Sequence, residues 1–224
     1  MGRSRNLRLG PALYVASIQY FLVQLLVARR WSPPYSWSRN TISDLGNTAC
    51  GDYGGKLVCS PLHDVMNASF AVLGITMIAG SVLIWRRAGP SRAATAGLAL
   101  MAVSGVGVIL VGLFPENSVP AVHGTGAGLS FVAGNVGIIV IGQSLPLALR
   151  LYSAVSGGAA LAALGCFASG QFLGLGEGGL ERVVAYPQTA WLIVTGLWLL
   201  SVPQLSKRKD GQSWPQGRTG PVHR

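Results

Sequence analysis

The chain has 224 residues, half of them hydrophobic and only 11% charged. A soluble domain carries about 25% charged residues, so this composition excludes an ordinary soluble globule, and the long apolar runs between the charges indicate an integral membrane protein. The net charge of +10 does not point to nucleic acid, because Lys and Arg stand at the ends of apolar segments rather than on one basic face.

Six stretches are long and apolar enough to span a bilayer, at about 11–28, 61–85, 93–114, 124–145, 153–175 and 187–202. Backbone amides in lipid must bond internally, so the spans are predicted as helices. The alternating strands of about ten residues that mark a β-barrel are missing. The predicted fold is all-α: a six-helix membrane domain over 11–203, a short cytoplasmic segment 1–10 before it, and a basic tail 204–224 after it.

The first span follows Arg3, Arg5 and Arg8 and runs into Arg29-Arg30 without a small-x-small cleavage site. It reads as a retained helix rather than a signal peptide. An even number of spans puts both termini on one side. That side would hold twelve of the basic residues and the other five, Arg29, Arg30, Arg39, Lys56 and Arg182. The bias predicts cytoplasmic termini in a bacterial plasma membrane. The tail is Gly/Pro-rich and basic, predicted disordered against the inner headgroups, with His223 playing no chemical part.

The first and second spans are joined by about thirty residues that this topology places outside. In "WSPPYSW", Trp31, Tyr35 and Trp37 are predicted interfacial anchors, and Pro33-Pro34 extend the chain. The loop is read as lacking strands and helices of its own. Cys50 and Cys59 are predicted to form a disulfide that stabilises the loop by roughly 2–3 kcal/mol. The alternative, a metal held by both thiolates and His63, has no common zinc spacing. In "CSPLHDVMNASF", Ser60 is the predicted N-cap, Pro61 the first helical residue, and Asp64 a partner for the helix dipole. His63 and Asn67, four apart, share a face. Asn67-Ala68-Ser69 is a formal glycosylation sequon, discounted because it lies in a helix.

The third span closes with "GLFPEN", which places Glu116 and Asn117 beyond Pro115, and the fourth opens near His123. Asn135, Gln143 and Gln171 are predicted to bond between helices, at about 0.6–2 kcal/mol each. Gly134, Gly137 and the Gly170-x-x-x-Gly174 pattern suggest close helix packing, and such Gly-rich faces are also where a homo-oligomer would form. Cys166 reads as a small apolar core residue. Before the last span, "GLERV" sets Glu181 beside Arg182, expected to cap that helix and pair locally. "GVGVILVG" lies inside a span and is no dinucleotide site. No nucleotide, haem or flavin motif occurs, so no cofactor and no resident metal is expected.

"NTISDLG", "CSPLHDVMNASF", "GLFPEN", "HGTGAG" and "GLERV", in this order, resemble a bacterial and archaeal family of six-span membrane proteins, domain of unknown function 998. The resemblance covers about residues 10–203 and implies that Asn40, Ser43, Asp44, His63, Asn67, Glu116 and His123 are signature positions. The "ISDLG" loop also resembles the Frag1/DRAM/Sfk1 membrane family, which implies lipid-related or trafficking roles. Neither supplies a catalytic residue.

Asp44, His63, Asp64, Glu116, His123, Glu181 and Arg182 fall at one membrane level. The leading expectation is a polar site at the outer leaflet, built from Asn40, Ser43, Asp44, His63, Asn67, Glu116, His123 and Arg182. It would take a lipid headgroup or a small ligand under the disulfide-clamped loop, with membrane lipids as partners. The alternative is an intramembrane acid–base or metal-assisted lipid hydrolase or transferase using Asp44, His63, Glu116 and His123. A small transporter subunit is the third reading. Against it stand the scarcity of charge in the spans and the lack of a visible inverted repeat.

Overall fold

A computed structural model describes residues 2–86 and 91–202, and side chains from Arg8 onward. The tail 204–224, read above as disordered, lies outside the described residues. The elements are α1 (Gly2–Ala16), α2 (Gln19–Ala28), a 3-10 turn (Ser43–Gly46), the strands β1 (Gly51–Tyr53) and β2 (Lys56–Val58), α3 (His63–Trp85), α4 (Arg92–Leu113), α5 (Pro120–Gly142), α6 (Leu147–Ala168) and α7 (Gly176–Ser201). Six helical spans are long and apolar enough to cross a membrane, the first being Arg8–Ala28. That first span runs through α1 and α2. At its centre the amides of Ser17 and Ile18 bond the third preceding carbonyl, Tyr14 and Val15 at 3.2 and 3.1 Å, which tightens one turn.

The spans form a closed ring: α1 and α2 pack on α3, α3 on α4, α4 on α5, α5 on α6, α6 on α7, and α7 returns to α1 while also touching α5. Small residues let the backbones approach where lipid gives helices no hydrophobic reason to associate. Gly107 of α4 faces Gly126 of α5, and Gly97 faces Gly137. Met66, Met77, Met101, Ile138 and Trp191 fill the interior. Asn135 bonds between helices as expected, its Nδ2 donating to the Val184 carbonyl at 3.0 Å.

Several local expectations are corrected. The long loop contains structure: β1 and β2 pair antiparallel, Tyr53 opposite Lys56. Gly54 and Gly55, at φ of 61° and 75°, make the tight connection that only glycine adopts without cost. Cys50 and Cys59 are disulfide-bonded at the base of this hairpin. Ser60 does not cap α3. Its hydroxyl donates to the Leu45 carbonyl at 2.6 Å, so a buried loop acceptor takes the group a helix end would have used, and α3 starts at His63. Helix α6 ends at Ala168, which puts Gln171 and Gly174 in a connection and removes the proposed close-packing motif. There Gly170 (φ 72°) terminates the helix, with Gln171 N donating to Cys166 O at 2.9 Å and Gly170 N to Phe167 O at 3.1 Å, a Schellman arrangement. Gln143 bonds Ile139 of its own helix. Cys166 is only half-buried. Helix α7 begins eleven residues before Pro187, at Gly176, and Pro187 lies inside it; the stretch read as a preceding loop forms its first three turns.

A Cβ placed on Gly107 would sit 2.5 Å from the Gly126 carbonyl and 2.8 Å from the Ser130 amide. Backbone on both sides cannot yield cheaply, so Gly107→Ala is expected to cost about 1–3 kcal/mol, read as a lowered unfolding midpoint in detergent. Gly124→Ala, with open space around it, serves as the neutral control.

Candidate functional site

The loop between α2 and α3 lies over one end of the ring, and Arg182 of α7 holds it there. This guanidinium is 8% exposed. Its Nη1 donates to the carbonyls of Trp37 (3.0 Å), Asn40 (2.9 Å) and Gly178 (2.7 Å), and Nη2 donates to the Tyr35 hydroxyl. The cation also lies 4.9 Å from the Trp37 ring centre and 5.5 Å from that of Tyr35. The expected local pairing with Glu181 is not made: consecutive helical side chains point apart, and Arg182 spends its donors on the loop. Gly178 lets the Asn40 carbonyl reach the helix, where a Cβ would collide with it. The amides of Gly178 and Gly179, orphaned at the start of α7, donate to the Ser38 carbonyl at 2.9 and 3.2 Å. The three aromatics are therefore not plain anchors. Trp31 is buried, Tyr35 packs edge-on against Trp31 and Trp37, and only Trp37 is exposed. Burial pushes the Tyr35 phenol well above its ordinary pKa, against the pull of Arg182.

Asp44 is fully buried in the 3-10 turn. Its Oδ2 accepts from Thr41 N (2.9 Å) and Asn40 Nδ2 (3.2 Å) and lies 3.3 Å from the Lys56 ammonium. Lys56 also donates to Glu177 at 2.8 Å. Burial works against the Lys56 charge, but Glu177 and Asp44 outweigh it and raise its pKa. Oδ1 of Asp44 has no hydrogen-bond partner, and the Glu116 carboxyl lies close enough to feel the Asp44 charge. Burial first, and the Asp44 charge second, push Glu116 up to about 8. Glu116 stands between α4 and α5 and accepts from Asn47 Nδ2 at 3.1 Å. Tyr53 donates to its carbonyl at 2.9 Å, and Thr48 N donates to Asn117 Oδ1 at 3.1 Å. This corner is the loop's second fastening.

Ser43 joins α5 and α7 beneath the loop. Its Oγ lies 3.0 Å from His123 Nε2 and 3.2 Å from Glu181 Oε1. His123 Nδ1 bonds the Phe114 carbonyl at 2.9 Å. A carbonyl only accepts, so Nδ1 carries hydrogen and Nε2 faces the serine hydroxyl. The Ile42 amide donates to Glu181 Oε2. Ser43 and Glu181 open onto a cavity of about 30 Å³, room for a water or two. Apolar side chains of α3, α4 and α5 wall it, among them Phe70, Leu73, Val108, Val111 and Phe131, with Gln188 and Thr189 on its polar side. Gln188 is held by Ser104 and Ser130 at 2.9 and 3.1 Å.

Of the residues singled out from the sequence, Asn40, Ser43, Asp44, Glu116, His123 and Arg182 come together beneath or within the loop. Asn67 is adjacent but structural, its Nδ2 donating to the Gly46 carbonyl at 2.9 Å. His63 stays apart, bonded to the Ser60 carbonyl at 2.8 Å and lying 3.3 Å from the exposed Asp64. Among the described residues no three His, Cys, Asp or Glu side chains form a set able to hold a metal, so His63 and His123 supply no shared metal centre. Sequence reasoning left Glu181, Lys56, Asn47 and Tyr35 out of the site. Glu181 was visible as an acid at the same level, but its direction depended on α7 starting before Pro187.

The fold defines a multi-pass helical membrane protein. The chain belongs to the family described as "Protein of unknown function (DUF998)", whose model matches residues 14–198. Neither the curated proteins nor the solved structures contain a match to the chain. The comparisons do not bear out the likeness to the Frag1/DRAM/Sfk1 family.

The folded Glu116 carboxyl holds its proton above its ordinary 4.5, up to about 8. Folding therefore binds a proton between these values, and its stabilisation, complete below about 4.5, is lost as pH rises through about 8. Thermal melts in detergent are expected to show falling stability across this window. Glu116→Gln, which removes the titrating carboxyl, should flatten the profile.

Proposed function

We propose that this protein is a multi-pass plasma-membrane protein with both termini in the cytoplasm and the loop outside, and that it binds a membrane lipid or similar amphiphile at the loop-capped end of the bundle. The observation that carries this reading is the character of the cavity under the loop. It has a hydrocarbon-like wall from α3, α4 and α5, and a small set of oriented polar groups, Ser43, Glu181 and Gln188, at one side, the composition of a small-molecule site. At about 30 Å³ the cavity is closed to a lipid, so binding requires the loop to lift. The fastenings at Arg182 and Glu116 are the contacts that would set that equilibrium. The orientation rests on the concentration of Lys and Arg at the opposite end.

Native mass spectrometry of gently extracted protein is expected to show a retained lipid. Ala127 lines the cavity, and Ala127→Leu, which fills it, should reduce that retention to background without unfolding the protein. Unchanged retention in the variant would remove the cavity from the reading. For orientation, a membrane-impermeant maleimide should label Cys50 and Cys59 on intact cells after reduction; labelling that requires lysis would place the loop in the cytosol.

A further inference from the structure

The geometry points to Ser43 as a nucleophile toward acyl esters, with His123 as its base and Glu181 as the proton partner of the pair. This rests on the amphiphile-binding reading above and names the class of ligand: a lipid whose ester or thioester carbonyl reaches Ser43.

Four observations converge. The hydroxyl lies 3.0 Å from an imidazole nitrogen, within the reach that general-base activation of serine requires. The tautomer is set by the other ring nitrogen, 2.9 Å from the Phe114 carbonyl, so the basic nitrogen faces Ser43. A backbone carbonyl thus does the orienting that a carboxylate does in the familiar triad. The same hydroxyl meets a buried carboxyl group at 3.2 Å, which can take or return a proton. Finally, the Ser43 side chain lines the cavity beneath the loop. A serine serving only to tie the loop to α5 and α7 has no need to face a cavity.

The step closes chemically. The Ser43 proton passes to His123 Nε2 as Oγ bonds the acyl carbon. The carbon–oxygen bond to the leaving alcohol then breaks, and Nε2 gives its proton to that alcohol. A water molecule or an acceptor alcohol attacks the acyl-serine, losing its proton to Nε2, and the bond to Oγ breaks as Oγ regains a proton. No oxidant, reductant or metal is required. The cavity as formed is smaller than an acyl chain, so access requires the Ser43–Gly46 turn to move.

The test uses the full chain in detergent and in phospholipid vesicles, treated with an alkyl fluorophosphonate. Intact-mass and peptide analysis are expected to find one adduct, on Ser43, absent in Ser43→Ala. Labelling should slow by about 10²–10⁴-fold in His123→Gln. Melting curves establish that each variant is folded, and the mapped wild-type adduct is decisive even if a variant is not. No adduct on Ser43 in folded, lipid-retaining protein overturns the nucleophile and leaves lipid binding standing. An adduct that forms at the wild-type rate in His123→Gln overturns the role of His123. An adduct in protein that retains no lipid overturns the binding reading alone.

Discussion

An irregular segment lying over helices that belong in lipid must find donors for its carbonyls and acceptors for its amides, and here one buried arginine gathers two of those carbonyls and a phenol hydroxyl. Arg182 bonds Trp37, Asn40 and Gly178 through a single nitrogen and Tyr35 through another. The planar, always-charged fork suits this task better than a lysine would. The Ser38 carbonyl fixes the first turn of α7 against the loop, which sets the guanidinium beside the loop carbonyls it bonds. The position of Ser43, Asp44 and the hairpin follows from that docking. Without it the polar groups of the loop would have no reason to gather over the ring rather than in water.

The rim carries three buried or half-buried carboxyl groups, and each is accommodated differently. Asp44 has two local donors and an ammonium. Glu116 accepts from the Asn47 amide, with burial and the Asp44 charge pushing its pKa up. Glu181 meets a backbone amide and a hydroxyl that leads to an imidazole. The acid near the serine and the acid at the α4–α5 corner have separate environments: Glu116 fastens the loop through Asn47, and Glu181 meets the hydroxyl of Ser43.

Much of this was legible in the residues. Charge-poor runs gave the number of spans, and the paired cysteines in an otherwise short polar stretch gave the disulfide. Asp44, Glu116, His123 and Arg182, distant in sequence, were read to one level because span ends are the places such groups can lie cheaply, and the fold gathers them under the loop. What failed was direction rather than depth. His63 is at the right height but its ring bonds the Ser60 carbonyl, and nothing in a linear pattern distinguishes it from His123. Glu181 was taken for a capping residue because Pro187 was read as a helix start, whereas three turns precede it. The hairpin was missed although Gly54-Gly55 signals it, since strands of three residues carry too little pattern to outweigh the surrounding loop composition.

Pro187 inside α7 has a mechanical consequence. Proline has no amide hydrogen to give the Val183 carbonyl, so the ladder of α7 loses a rung about two turns below Glu181. Asn135 donates to the next carbonyl, Val184, and props the helix from the side at this level. The rod is therefore seamed: its upper section is tied to the cap, and its lower section holds Trp191 and Leu192 in the interior. A tilt accompanying the proposed lifting of the cap would bend α7 at this seam, beside the Asn135 amide.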